Sequence, residues 1–126
     1  MNLYEAAHLA RKLMNDHGLV DWRFDFDHAR RRFGRCNYTH KLISLSRPLT
    51  LLNGIDEVRD TILHEIAHAL CPKDGHGPRW RATCRRIGAR PVRCYTDEQV
   101  ISPPPRKRAT SRKVVLRSLS RYLGLS

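Results

Sequence analysis

The run from Ile55 to Leu70 constrains this chain more than any other stretch. Ile55, Val58, Ile62, Leu63, Ile66 and Leu70 recur at the helical period, so the spacing predicts a helix that starts at Asn53 or Gly54 and buries that stripe. Such a stripe needs neighbours to pack against, and a chain of 126 residues has room for a single domain around it.

The neighbours follow from the same kind of reading. Asn2 with Glu5 three places on resembles a capping box, and Leu3, Ala6, Ala7, Ala10, Leu13 and Met14 carry an amphipathic helix as far as Gly18. Trp22, Phe24 and Phe26 alternate with Arg23, Asp25 and Asp27, the period of a strand with one buried face. A turn at Gly34, where glycine tolerates positive φ, leads into a second strand near Cys36 to Tyr38. A third covers Leu42 to Leu45, with Thr39, His40 and Lys41 forming the hairpin. Trp80, Cys84 and Ile87 fall on one further helical stripe that stops at Gly88, with Pro91 beyond.

No acidic residue occurs from Gln99 onward; SPPPRKR reads as an extended linker and SRKVVLRSLSRYLGLS as a short amphipathic helix. The expectation is therefore an α+β fold: a short antiparallel sheet packed on an N-terminal helix, the central helix and a following helix. Residues 1–98 form the domain, and residues 99–126 a basic Pro-rich linker with a C-terminal helical tail.

The central helix carries HEIAH. His64 and His68 are four residues apart, so a helix stacks them one turn above the other and aims two imidazoles at one point. Their face lies opposite Ile62, Ile66 and Leu70, which predicts one side in the core and the other turned to a cleft. Catalytic zinc usually has three protein ligands and one open position. His76, between Gly75 and Gly77, is the first choice for the third, with Asp74 and Cys71 as rivals; Glu65 is the base candidate. One Zn2+ ion is the expected cofactor. Glu57 and Asp60 either orient an imidazole or simply favour the helix N-terminus. His8, His17, His28 and His40 read as surface residues, Trp80 as core, and Tyr38 or His40 as a neighbour able to stabilise an oxyanion. Two plainer readings stand beside this one: a chance HExxH on a charged face, and a structural zinc closed by Cys71.

Charge supplies the second constraint, with 24 Lys plus Arg against 12 Asp plus Glu and a net charge of +12. Arg30, Arg31, Arg32 and Arg35 form one cluster, Arg79, Arg81, Arg85, Arg86, Arg90 and Arg93 a second, and Arg106, Lys107 and Arg108 a third. Phosphate neutralisation makes a polyanion the natural partner. The four cysteines contain no CxxC pair, which argues against a zinc ribbon and for reduced thiols. No signal peptide and no membrane-length apolar run is evident. A cytoplasmic monomer, nucleoid-associated and without membrane contact, is expected.

FGRC, LISLSRPL, VRDTILHEIAHAL and DGHGPRW together resemble the SprT-like metallopeptidases, which include the Spartan proteases acting on proteins crosslinked to DNA; the likeness covers residues 22–93. It implies a minimal zincin-like domain with His64, His68 and His76 as zinc ligands and Glu65 as general base. It also implies an edge strand that aligns extended substrate, for which Leu42 to Leu45 is the candidate. Many relatives append a zinc ribbon, which the CxxC-free sequence lacks. The function expected is a zinc-dependent endopeptidase acting on DNA-bound or DNA-crosslinked proteins. The alternatives are a non-enzymatic nucleic-acid-binding module with a structural zinc, and a general cytosolic peptidase with no DNA role.

Overall fold

The computed structural model describes residues 1–92 and 100–104. In chain order the elements are α1 (Leu3–Asp16), β1 (Arg23–Asp27), β2 (Gly34–Asn37), β3 (Leu42–Ser46), α2 (Arg47–Leu52), α3 (Ile55–Leu70) and α4 (Pro78–Ile87). The α+β class is as expected. The C-terminal helix anticipated beyond the prolines lies outside the described residues, as do Arg93, Arg106, Lys107 and Arg108.

Helix α1 begins where Asn2 accepts the backbone N–H groups of Tyr4 and Glu5 at 2.8 and 3.2 Å, satisfying donors that a helix start leaves unpaired. It ends at His17, with Gly18 in the left-handed region at φ 80°. Ala6, Ala10, Leu13 and Met14 face the core.

The sheet corrects the sequence expectation in two ways. Its order is β1-β3-β2, and it is mixed rather than antiparallel: β3 runs parallel to β1 and antiparallel to β2. After β1 the chain crosses to the far side of the sheet, lays down β2, and returns through the hairpin so that β3 slots between them. Central placement suits β3, because Ile43 and Leu45 are fully buried. Leu42 to Leu45 is consequently not an edge; β1 and β2 are. The register puts Phe24, Ile43 and Cys36 in one row and Phe26, Leu45 and Gly34 in the next, on the face that receives the helices. On the opposite face Ser44 donates to Asp27 at 2.9 Å and Ser46 to the Ala29 carbonyl at 2.6 Å.

Gly34 also plays a different part from the one expected. The glycines at positive φ are Gly18, Gly75 and Gly88. What Gly34 supplies is space, since a Cβ there would stand 2.9 Å from Glu65 Cγ and from Thr61 Cγ2. The missing side chain lets β2 lie directly on α3.

Helix α2 was not anticipated. Ser46 Oγ accepts the Leu49 N–H at 3.1 Å, and Pro48 sits in the first turn, both of them helix-start signals on an element only six residues long. Helix α3 starts at Gly54 as the spacing predicts, but it is more deeply enclosed than expected. It packs on α1, α4, β2 and β3, and Val58 and the residues from Asp60 to Ala67 are buried. It is exposed near its start, at Ile55, Asp56 and Arg59, and emerges again toward its C-terminal end, where His68 is half-buried.

Residues 100–104, assigned to the linker from composition, lie against the domain. Val100 joins the core, and Pro103 is buried. The Asn53 amide donates to the Ile101 carbonyl at 2.7 Å and accepts the Ile101 N–H at 2.8 Å, while Arg30 donates to the Pro104 carbonyl at 2.7 Å.

Candidate metal centre

The last turns of α3 bring His64 and His68 side by side, with ring centroids 5.0 Å apart. His76 arrives from the loop at 71–77, its ring 5.4 Å from His64 and 4.7 Å from His68. One ligand atom from each of the three lies within 4.8 Å of the others.

The loop folds back because two residues take left-handed backbone, Lys73 at φ 72° and Gly75 at φ 57°, and because Asp74 pins it to α4. The Asp74 carboxylate accepts the Trp80 N–H at 2.8 Å, and its carbonyl accepts the Gly77 N–H at 2.9 Å. A Cβ on Gly77 would meet the Asp74 carbonyl and carboxylate oxygens at 2.8–2.9 Å, so glycine is needed for the approach. Asp74 thus caps α4 and stands outside the cluster. The other rival, Cys71, has its Sγ 2.9 Å from Thr83 Oγ1 and is likewise no member. Cys36, Cys71 and Cys84 are free thiols.

Burial, followed by repulsion from the other rings, lowers the proton affinity of His64 and His68 until both titrate near about 4. Near neutral pH they are uncharged imidazoles with lone pairs available. Spacing tests the fit to a metal: two imidazole nitrogens on one tetrahedral zinc ion would stand roughly 3.3 Å apart, and His68 Nε2 lies 3.2 Å from His76 Nε2. The donor set can hold a metal ion.

Glu65 follows His64 on α3 and is buried, with Oε2 3.8 Å from His64 Nε2. Burial pushes its carboxyl up to about 8, with the Arg32 charge pulling the other way. Arg32 itself pairs with Asp27 at 3.4 Å. Asp60 accepts the backbone N–H and the Nε–H of Arg90 at 2.7 and 3.2 Å, tying α3 to the chain beyond α4. Its charge also raises the proton affinity of His64 against the larger effect of burial.

Two contacts at the centre were not foreseen. Tyr38, just past β2, donates its hydroxyl to the backbone carbonyl of His68, so the strand and the ligand helix are joined at the mouth of the site. Trp80 is core as expected, yet its indole meets all three imidazoles. The sequence signal for both was aromatic identity alone, without any spacing to direct it. His8, His28 and His40 are exposed and His17 half-buried, all apart from the cluster. Arg31, Arg32, Arg35, Arg79, Arg81, Arg85 and Arg86 are exposed, whereas Arg30 and Arg90 are partly buried and engaged as described.

Two imidazoles on one helix, a third on the loop that follows and a carboxylate at the second motif position form the donor arrangement of a metallopeptidase-type domain. The sequence pattern of the SprT-like family matches residues 3–100, and the chain belongs to that family. No curated protein and no solved structure matches it significantly. No described helix is long and apolar enough to cross a membrane.

Proposed function

We propose that this protein is a zinc-dependent endopeptidase of the HExxH type, with His64, His68 and His76 holding the ion and Glu65 as the general base. The observation that carries the reading is the buried Glu65 side chain, 3.8 Å from His64, next to three converging imidazoles. A zinc ion there would polarise the scissile carbonyl and acidify the attacking water. Glu65 would take a proton from that water and pass it to the leaving amine, a role its buried position 3.8 Å from His64 allows. Strand β2, an edge of the sheet lying on Glu65, is the element that would pair with an extended substrate backbone. It takes over the part that the sequence reading gave to Leu42 to Leu45.

The substrate we infer is protein bound or crosslinked to DNA. Arg31 and Arg32 are exposed just before β2 and Arg35 within it, and Arg79, Arg81, Arg85 and Arg86 are exposed on α4, so basic surface is carried by two regions that pack on the metal-site helix. The enzyme is taken to act as a monomer in the cytoplasm, on the nucleoid.

Replacing Glu65 by Gln tests the chemistry. The expected result is at least a 1,000-fold loss of cleavage of a DNA-bound basic protein, with Zn2+ still bound in one equivalent. Unchanged cleavage by Glu65→Gln sinks the mechanism. A wild type that binds DNA and never cleaves supports a binding module. Cleavage without DNA affinity at low salt supports a general peptidase.

A further inference from the structure

We propose that Trp80 is the positioning residue of the metal centre: its indole sets the planes and rotamers of all three imidazoles and so determines how tightly they hold a metal ion. The inference rests on the metal-binding reading of the cluster and adds to it a fourth side chain that is not itself a ligand.

Two of the ligands share a helix, but an α-helix fixes only their Cα positions. Each imidazole can still turn about two side-chain bonds, and His76 sits on a loop with further freedom. Something has to choose one combination. Trp80 is fully buried, and its ring lies 4.6 Å from His64 at 67°, 5.1 Å from His68 at 21°, and 4.7 Å from His76 at 90°. It stacks on one ligand and meets the other two edge to face, both favoured aromatic geometries. The indole Nε1–H also points to the His64 carbonyl at 3.4 Å.

The backbone supports the same assignment. Asp74 accepts the Trp80 N–H from within the loop that carries His76, so the loop and the indole are placed by one connection. Metal-bound histidines are commonly oriented by hydrogen bonds from outside the ligand set, and loss of such a partner costs about 10–100-fold in metal affinity. Here aromatic packing does the orienting. An indole offers no lone pair to compete for the ion, and its contacts with the rings leave His68 Nε2 and His76 Nε2 3.2 Å apart.

A purely structural Trp80 would lower stability when replaced and leave affinity for metal unchanged in whatever protein remains folded. The test therefore uses the full-length chain and reads Zn2+ affinity by competition with a chromophoric chelator at neutral pH, together with the visible absorption of the Co2+ form. Trp80→Phe and Trp80→Leu are expected to bind Zn2+ about 10–100-fold more weakly and to shift the Co2+ bands. Trp22→Phe, on an aromatic packed edge-on to Tyr38, should change neither. A Trp80 variant with wild-type circular dichroism that binds Zn2+ within about two-fold of wild type overturns the proposal.

If both Trp80 variants fail to fold, the Trp22→Phe protein decides, since Trp80 is then its one tryptophan of an original two. Its emission should fall by more than half as Co2+ is added, with the same midpoint as the visible absorption; emission that ignores the metal overturns the proposal. A wild type that binds no Zn2+ brings down the metal-binding reading as well, whereas tight wild-type binding with indifferent Trp80 variants removes only this inference.

Discussion

The candidate centre is assembled from two regions that differ in kind. Helix α3 presents His64 and His68 on a buried, regular element whose spacing is set by helix geometry. The loop at 71–77 presents His76 through two left-handed residues, Lys73 and Gly75, and one pinning carboxylate, Asp74. The helix offers a preformed pair, and the loop offers the group that closes the set. Metal should therefore order the loop far more than the helix, because only the loop has much order left to gain.

The largest effect that can break this contrast is loss of a ligand. His68→Ala and His76→Ala should each weaken Zn2+ binding by more than about 100-fold, beyond the range typical of an outer partner. In the wild type, Zn2+ should slow amide exchange at 73–77 much more than at 64–68. Equal protection of both regions would show that the loop is as settled without metal as the helix.

Next in size is the pH dependence of the metal-free protein. His64 and His68 fall from 6.5 to about 4 on folding, so as pH drops the unfolded chain takes up protons first. Stability that is present above pH 6.5 is then lost progressively down to about pH 4. The more buried His64 alone should account for about 3 kcal/mol of the loss, and His68, screened by solvent, for less. Glu65 works in the opposite direction: its carboxyl rises from 4.5 to about 8, so the unfolded chain ionises first and stability declines as pH climbs between those values. Urea midpoints with chelator present should peak near pH 6, and Glu65→Gln should remove the alkaline decline and steepen the acid side. A flat profile in both proteins would mean that neither region buries its titrating groups as described.

The same contrast governs what could be read in advance. Helix α3 was legible because its apolar period and the four-residue histidine spacing are local properties, and α1 because Asn2 and Gly18 mark its ends. Sheet order was not, because the parallel pairing of Phe24 with Ile43 depends on where a crossing chain comes to rest, and no residue encodes that locally. His76 was found from its glycine context, but the reason it converges lies in Asp74 and Trp80, whose contacts depend on α4 packing against α3. Gly34 illustrates the limit well. From sequence this glycine reads as a turn, since a close approach to Glu65 leaves no trace in neighbouring residues.

Glycine substitutions sharpen the comparison at a smaller scale. Gly34→Ala forces a methyl to within 2.9 Å of Glu65 and Thr61 and should cost about 2 kcal/mol, as overpacking does, while displacing the carboxyl proposed as the base. Gly75→Ala meets no atom within 4 Å and pays only for its left-handed backbone, about 1 kcal/mol. Thermal unfolding separates the two. A larger loss at Gly75 would mean that the strand can move off α3 more easily than the loop can refold.

The smallest effect comes from comparing two helix caps of similar worth. Asp74→Ala removes the acceptor for the Trp80 N–H on α4, and Asn2→Ala removes the acceptor for Tyr4 and Glu5 on α1. Each should lower stability by about 1 kcal/mol, the usual cost of a lost cap. Only the first lies between the loop and the ligands, so only Asp74→Ala should also weaken Zn2+ binding, by about three- to ten-fold, because His76 must then be ordered at the moment of binding. Equal affinity in the two variants, at equal stability, would mean that the loop holds its shape without Asp74 and that the backbone at Lys73 and Gly75 suffices to aim the third imidazole.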